Sequence, residues 1–264
     1  MRSFLATSLL ATMLALTGTA AAQQPLDHER CGGKGGVTPE QQIDACATLV
    51  GSGQLSPEQL AGALNNRGSG YQRKQQYDRA IQDYDQAIKL SADYALAFRN
   101  RGDAYRLKGL FDRAIQDYDQ AIKLNPNAAA AFQGRGLAYR AKAVWDFDAF
   151  LNDNAYDDRA IQDYDQVVRL SPKFAVAYKL RADAYRAKRR YDLAIQDYNQ
   201  AIGLDPNVAS FYVGRALAFR QIRQPDRAIA DYRLALTLKI EDGVKKAIEA
   251  SLKDLGAAVL PETI

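Results

Sequence analysis

The sequence predicts an all-α solenoid of stacked helical hairpins, and three observations predict it. The motif AIQDYDQAI, or a close relative, begins at Ala80, Ala114, Ala160, Ala194 and Ala228, in steps of 34, 46, 34 and 34 residues. Within each unit the apolar residues fall at the three-to-four spacing of amphipathic helices, in two runs separated by a short polar stretch. Proline closes three units, at Pro126, Pro172 and Pro206, where it cannot continue a helix and disfavours helical geometry in the residue before it. A period of this length marks supersecondary units that cannot bury an apolar face alone and must stack. A chain built this way is expected to hold another molecule, not to transform it.

The first 22 residues stand apart from that pattern. Arg2 gives a short basic start, Phe4 to Leu16 an apolar run, and Ala20 to Ala22 the small residues that a signal peptidase requires. The mature chain is expected to begin at Gln23 with a net charge of +3, one less than the +4 of the whole sequence because Arg2 is lost. No cysteine directly follows the apolar run, so no lipid anchor is expected, and no later segment approaches the ~18 apolar residues of a membrane span. The expected destination is a bacterial periplasm or the exterior.

Residues 23–60 read as a stapled cap over the first repeat. In an oxidising compartment Cys31 and Cys46, the only two cysteines, are expected to pair. The bridge would close a loop through Gly32 to Gly36 and contribute about 3 kcal/mol in the chain-entropy view. Thr38, Pro39 and Gln41 form a helix-start signal, and Ile43, Cys46, Ala47 and Val50 the apolar stripe behind it. Gly51 and Gly53 end that helix, and Ser56, Pro57 and Gln59 repeat the start signal ahead of Ala61. His28, the sole histidine, lies in an aperiodic stretch and reads as a solvated loop residue.

Five units follow: 61–94, 95–128, 129–174 with an insert, 175–208 and 209–242. Position 8 is small (Gly68, Gly102, Gly136, Ala182, Ala216) and position 11 aromatic (Tyr71, Tyr105, Tyr139, Tyr185, Phe219). Position 20 is always alanine and position 24 always tyrosine, from Tyr84 to Tyr232, while position 27 is Ala87, Ala121, Val167, Ala201 and Ala235. Small residues at 8, 20 and 27 let two helices approach, and the tyrosines fill the space between them. These residues resemble the tetratricopeptide repeat (TPR) family over about two thirds of the chain. The resemblance implies a right-handed superhelix of paired helices A and B, with a concave face lined by A-helix positions 2, 5, 9, 12 and 13. Residues 243–264 read as a capping helix, with Val244, Ala247, Ile248, Leu252 and Leu255 on one face, and a tail.

Position 7, a large apolar residue in most of the family, is arginine in all five units: Arg67, Arg101, Arg135, Arg181 and Arg215. Position 23 is aspartate in all five: Asp83, Asp117, Asp163, Asp197 and Asp231. A repeated ion pair is the natural inference, because an arginine buried without its carboxylate would be strongly destabilising.

The candidate ligand site is the concave face. Arg106, Arg140, Arg186 and Arg220 occupy position 12, and Arg99 and Lys179 position 5, partly offset by Asp103 and Asp183. Arginine forks suit carboxylates, so the expected partner is an acidic segment of another protein. The plain alternative is a set of solvated charges paired with nearby acids. The family's C-terminal carboxylate clamp is not reproduced, since Asn66 and Asn100 hold position 6 but position 9 offers Ser69 and Asp103.

The third unit carries 12 extra residues, among them Trp145, Phe147, Phe150 and Tyr156. These aromatics are expected to pack locally; the alternative makes Trp145, Phe147 and Phe150 a partner anchor. The sequence has no nucleophile motif, no phosphate-cradling glycine loop after a strand and no histidine cluster, so neither catalysis nor a cofactor or metal is expected. A net charge of +4 does not point to nucleic acid. The expectation is a binding scaffold of the cell envelope; the alternatives are a self-assembling module and a binder of an anionic polymer.

Overall fold

The computed structural model describes residues 26–145 and 155–258, and these contain helices and turns with no strand. The leader-like residues 1–22, Phe147 and Phe150 of the insert, and residues 259–264 lie outside the described residues. The chain divides into two compact units, one ending at Pro126 and the other starting at Asn127.

The first unit contains α1 (residues 26–31), α2 (Pro39–Gly51), α3 (Pro57–Arg73), α4 (Tyr77–Leu90), α5 (Ala95–Leu107) and α6 (Phe111–Leu124). Thr38 and Ser56 cap α2 and α3 through reciprocal bonds with Gln41 and Gln59, and Pro39 and Pro57 hold the first helical position. The second cap starts α3 at Pro57, ahead of the repeat frame at Ala61. A Cys31–Cys46 disulfide, Sγ to Sγ 2.10 Å, joins the end of α1 to α2. Arg73 then ties α2 to α3 by donating to Gln42 Oε1 at 3.2 Å, while Gln42 Nε2 donates to the Cys31 carbonyl at 3.3 Å.

The second unit contains α7 (Ala129–Trp145), α8 (Ala155–Leu170), α9 (Ala175–Ala187), α10 (Tyr191–Leu204), α11 (Ala209–Gln221), α12 (Pro225–Leu236) and α13 (Asp242–Asp254). Each A helix packs on its own B helix, as α3 on α4, α5 on α6, α7 on α8, α9 on α10 and α11 on α12. Within the units, the next A helix packs on the preceding B helix, as in α4 with α5, α8 with α9 and α10 with α11.

The five position-24 tyrosines are the largest fully buried side chains, at 0–1% exposure. They can be buried only because position 8 is small. A Cβ placed on Gly68 or Gly136 would stand 2.7 Å from Cε1 of Tyr84 or Tyr164.

The A-to-B turns follow a rule that the helical spacing does not reveal. The residue at position 15 adopts the left-handed conformation, at Gln75 (φ 59°), Gly109 (φ 77°), Arg189 (φ 57°) and Arg223 (φ 57°). The next N–H then bonds back to the position-11 carbonyl, as Arg190 N to Tyr185 O at 2.8 Å, which satisfies an orphan carbonyl of the A helix. In the third repeat α7 runs on through position 15, at Ala143, and the helices are longer, 17 residues in α7 and 16 in α8 against 13 and 14 in the fourth.

At the C-terminus Ile248 and Leu252 of α13 are buried, but Val244 of the same stripe stays 41% exposed. Its side of the helix borders a cavity.

Candidate functional site

Every position-7 arginine grips its position-23 aspartate with two parallel bonds, Nε to one oxygen and an Nη to the other. The distances are 2.8 and 2.7 Å for Arg67 with Asp83, 2.7 and 2.7 Å for Arg181 with Asp197, and 3.0 and 2.6 Å for Arg135 with Asp163. Arg101 with Asp117 and Arg215 with Asp231 repeat the geometry. The free Nη1 of three of them reaches back to position 25 of the preceding repeat: Arg101 to Asp85 (2.6 Å), Arg181 to Asp165 (2.7 Å) and Arg215 to Asn199 (2.6 Å). These arginines thus fasten helix A to helix B and repeat to repeat. Hydrogen bonding to Asp197 holds the Arg181 guanidinium further above its ordinary pKa, although burial pulls the other way. Aromatic faces complete the seat at position 4, with Tyr178 5.7 Å from Arg181 and Phe98 5.5 Å from Arg101.

The cations assigned to ligand binding are less bare than their sequence positions suggest. In α5, Asp103 accepts from Arg99 at 3.1 Å and from the Tyr118 hydroxyl at 2.6 Å, and Arg106 stands 4.0 Å away. In α9, Asp183 does the same with Lys179 at 2.8 Å, the Tyr198 hydroxyl at 2.5 Å and Arg186 at 3.8 Å. Burial first, and then the Asp103 or Asp183 charge, pushes the Tyr118 and Tyr198 phenols up, so both hydroxyls stay protonated donors. Arg140 lies 3.3 Å from the buried Asp157, which takes position 17 where the other repeats carry Tyr77, Phe111, Tyr191 and Pro225. Arg140 is therefore half of an internal ion pair and not an open anchor. Arg220 is half-buried on α11, where Leu217 stands in place of the aspartate. Arg99 and Arg106 belong to the first unit, and Arg140, Lys179, Arg186 and Arg220 to the second.

The second unit contains a cavity of about 570 Å³ on the face that carries Lys179, Asp183 and Arg186. Its opposite wall is apolar, made by Val213 and Leu217 of α11 and by Ile240 and Val244 at α13. Gly214 of α11 lines the cavity too; a Cβ there would stand 2.5 Å from the Tyr198 ring, so glycine leaves room for the ring whose hydroxyl reaches Asp183. Lys239 and Glu241 complete the rim. The spacing of α13 did not reveal that its leading segment would line a cavity, because a capping role accounts for the same apolar stripe.

The insert aromatics divide. Tyr156 stacks on Tyr139 with ring centroids 6.2 Å apart and lies under Lys142, which is the local packing expected of the whole set. Trp145 does not pack; at the end of α7 it is 80% exposed beside Val144 at 76%, which corrects that expectation for the tryptophan. Among the described residues no group of His, Cys, Asp or Glu is placed to hold a metal ion, and no helix is long and apolar enough to cross a membrane.

Paired helices with a small residue under each buried tyrosine and a cavity on the A-helix face define a helical-repeat binding scaffold. Residues 68–109 and 102–142 match the TPR repeat family, and residues 175–208 match the tetratricopeptide repeat. These segments of the chain are tetratricopeptide repeats. Its fold is similar to that of MamA (23% identity, TM-score 0.56, covering 68% of this chain and 96% of that one). It is also similar to a thermophilic TPR protein of Thermus thermophilus (19% identity, TM-score 0.58, covering 72% and 97%). A third likeness is to YrrB, a TPR protein with an unusual peptide-binding site (15% identity, TM-score 0.60, covering 80% and 99%). At these identities the likeness is one of fold. A comparison with curated proteins found no match.

Proposed function

We propose that the protein is a non-catalytic interaction scaffold of the bacterial cell envelope, binding an acidic or extended segment of another protein on the basic faces of its A helices. The observation that carries this reading is the cavity of the second unit, where Lys179 and Arg186 face an apolar wall. Arg99, Arg106 and Arg220 extend the same chemistry along the other A helices. Export is supported by the leader-like first 22 residues and by the Cys31–Cys46 bridge. N-terminal sequencing of the protein from its host should give Gln23; a start at Met1 counts against export.

The binding test is capture from a periplasmic extract with residues 23–264, beside a variant carrying Lys179→Gln and Lys239→Gln. Neutralising half-buried Lys179 and exposed Lys239 leaves every position-7 ion pair intact. Charge reversal at Arg140 would instead set two carboxylates together at Asp157 and destabilise the third repeat. A partner held by the first protein and lost by the second supports the reading, and equal capture removes the groove from it.

Exposed Trp145 favours a second reading, self-assembly through the third repeat. Mass in solution that rises with concentration, and ceases to do so in Trp145→Ala, would establish it.

A further inference from the structure

From Ala95 onward the A helices alternate in type. Positions 2, 5, 9 and 12 read Leu96, Arg99, Asp103, Arg106 in the second repeat and Val176, Lys179, Asp183, Arg186 in the fourth. The third reads Ala130, Gln133, Leu137, Arg140 and the fifth Ser210, Val213, Leu217, Arg220. A charged helix is followed by one whose ninth position is leucine. In the second unit the structure places the charged α9 and the apolar α11 on two sides of one cavity, and residues 239–244 bound it on a third.

Resting on the reading above, we infer that this cavity recognises an extended segment in which an acidic residue adjoins an aliphatic one, and that Ile240 and Val244 of the C-terminal segment belong to the ligand site. Three observations select that ligand. Three cations, Lys179, Arg186 and Lys239, face the cavity against two carboxylates, Asp183 and Glu241. Asp183 is already committed, accepting from Tyr198 and Lys179, and Arg186 reaches it only at 3.8 Å, which leaves guanidinium donors for a ligand carboxylate. Val213, Leu217, Ile240 and Val244 offer no hydrogen bond, so an aliphatic side chain is what fits beside that carboxylate. The volume of about 570 Å³ falls within the ~300–1,000 Å³ of small-ligand clefts and suits two or three side chains, not a folded surface. Val244 is exposed because its face of α13 serves this cavity, while Ile248 and Leu252 hold the helix down.

The probe is the N-acetylated, C-amidated peptide Gly-Ser-Glu-Leu-Glu-Leu-Ser-Gly, titrated into the full chain while the methyl signals of Leu217, Ile240 and Val244 are followed by NMR. Saturable shifts are expected, weaker by about tenfold or more when both leucines become serine or both glutamates become lysine. The same loss is expected in an Ile240→Ser, Val244→Ser variant whose circular dichroism is unchanged. No shift up to about 1 mM peptide overturns the inference, as does equal binding of the lysine peptide. Methyl shifts produced by dilution alone, or by deleting residues 259–264, would assign the cavity to a second copy or to the chain's own tail, and also overturn it. Capture of a partner that survives Ile240→Ser, Val244→Ser but fails in Lys179→Gln, Lys239→Gln would refute the part given to the C-terminal segment while leaving the scaffold reading standing.

Discussion

In α9 the ninth position of the repeat is Asp183; in α11 it is Leu217, and much of what differs between the two helices follows. Asp183 gathers Lys179, Arg186 and the Tyr198 hydroxyl around one carboxylate. Beside Leu217 the position-5 residue is Val213, and the Tyr232 hydroxyl lies buried without a hydrogen-bond partner. Behind both faces the skeleton is the same: Arg181 on Asp197 and Arg215 on Asp231, each through two bonds of 2.7–2.8 Å. The comparison separates what builds a repeat from what a repeat presents. The arginine–aspartate fork and the buried tyrosine build it, and position 9 sets whether its open face is charged or apolar.

The most damaging way to probe the shared part is Arg181→Leu. It leaves Asp197, 5% exposed, buried without its partner, and should cost about 3–5 kcal/mol, read as a lower urea midpoint. Arg215→Leu should cost a similar amount, since Asp231 is equally buried. A loss below about 1 kcal/mol in either would make the fork a surface pair and not a skeleton. Adding Asp197→Leu to Arg181→Leu should recover most of the loss, because the cost lies in the stranded charge.

Changing the presented part should cost less. Asp183→Leu gives α9 the ninth residue of α11 and strands the Tyr198 hydroxyl, for about 1–3 kcal/mol. The reverse change, Leu217→Asp, offers Tyr232 an acceptor and stands three residues from Arg220, so its loss should stay under about 1 kcal/mol. Equal losses for the two would show that position 9 has no such division of labour.

Those residues also show how far the sequence could be read. The fork was legible because an arginine at an apolar position needs a buried counter-charge, and an aspartate always stands 16 residues on, or 28 across the insert. The helix pairs were legible from spacing and proline, and the two side-chain caps from Thr38 and Ser56. The bonding of Asp183 was not, since an aspartate on an open helix face normally reads as solvated; only its distance to Tyr198 shows otherwise. Arg140 misleads for the same kind of reason. Its partner Asp157 takes position 17 just after the insert, where no other repeat carries an acid, so the repeat pattern gives no sign of it. The left-handed residue at position 15 was hidden because glycine marks it in one repeat alone.

Asp157 offers a smaller and pH-dependent test of the contrast between the third repeat and the others. Burial raises its carboxyl pKa, against the downward pull of Arg140. The unfolded chain therefore releases this proton at the ordinary value near ~4 and the folded chain only at higher pH. Between those values the folded state binds more protons, so stability falls as pH rises. Asp157→Asn does not titrate and should lack this decline. Its melting temperature relative to the natural protein should rise from pH 4 to pH 7. A relative fall over that range would mean that the pairing with Arg140 outweighs burial.

The smallest effects belong to the A-to-B turns, which the fourth and fifth repeats build alike, with Arg189 and Arg223 both at φ 57°. The left-handed conformation costs an L-residue about 1–2 kcal/mol, and glycine escapes that cost. Glycine also gives the unfolded chain more freedom, which takes back about 0.4–1 kcal/mol. Arg189→Gly and Arg223→Gly should therefore each stabilise by roughly 0.5–1 kcal/mol, and Gln75→Gly by the same amount, while Gly109→Arg should destabilise comparably. Because both turns share one geometry, the gain should not depend on whether the A helix before it presents Asp183 or Leu217. A gain confined to Arg223 would tie the turn to the face that precedes it, and the separation of skeleton from presented surface would then fail at the turn.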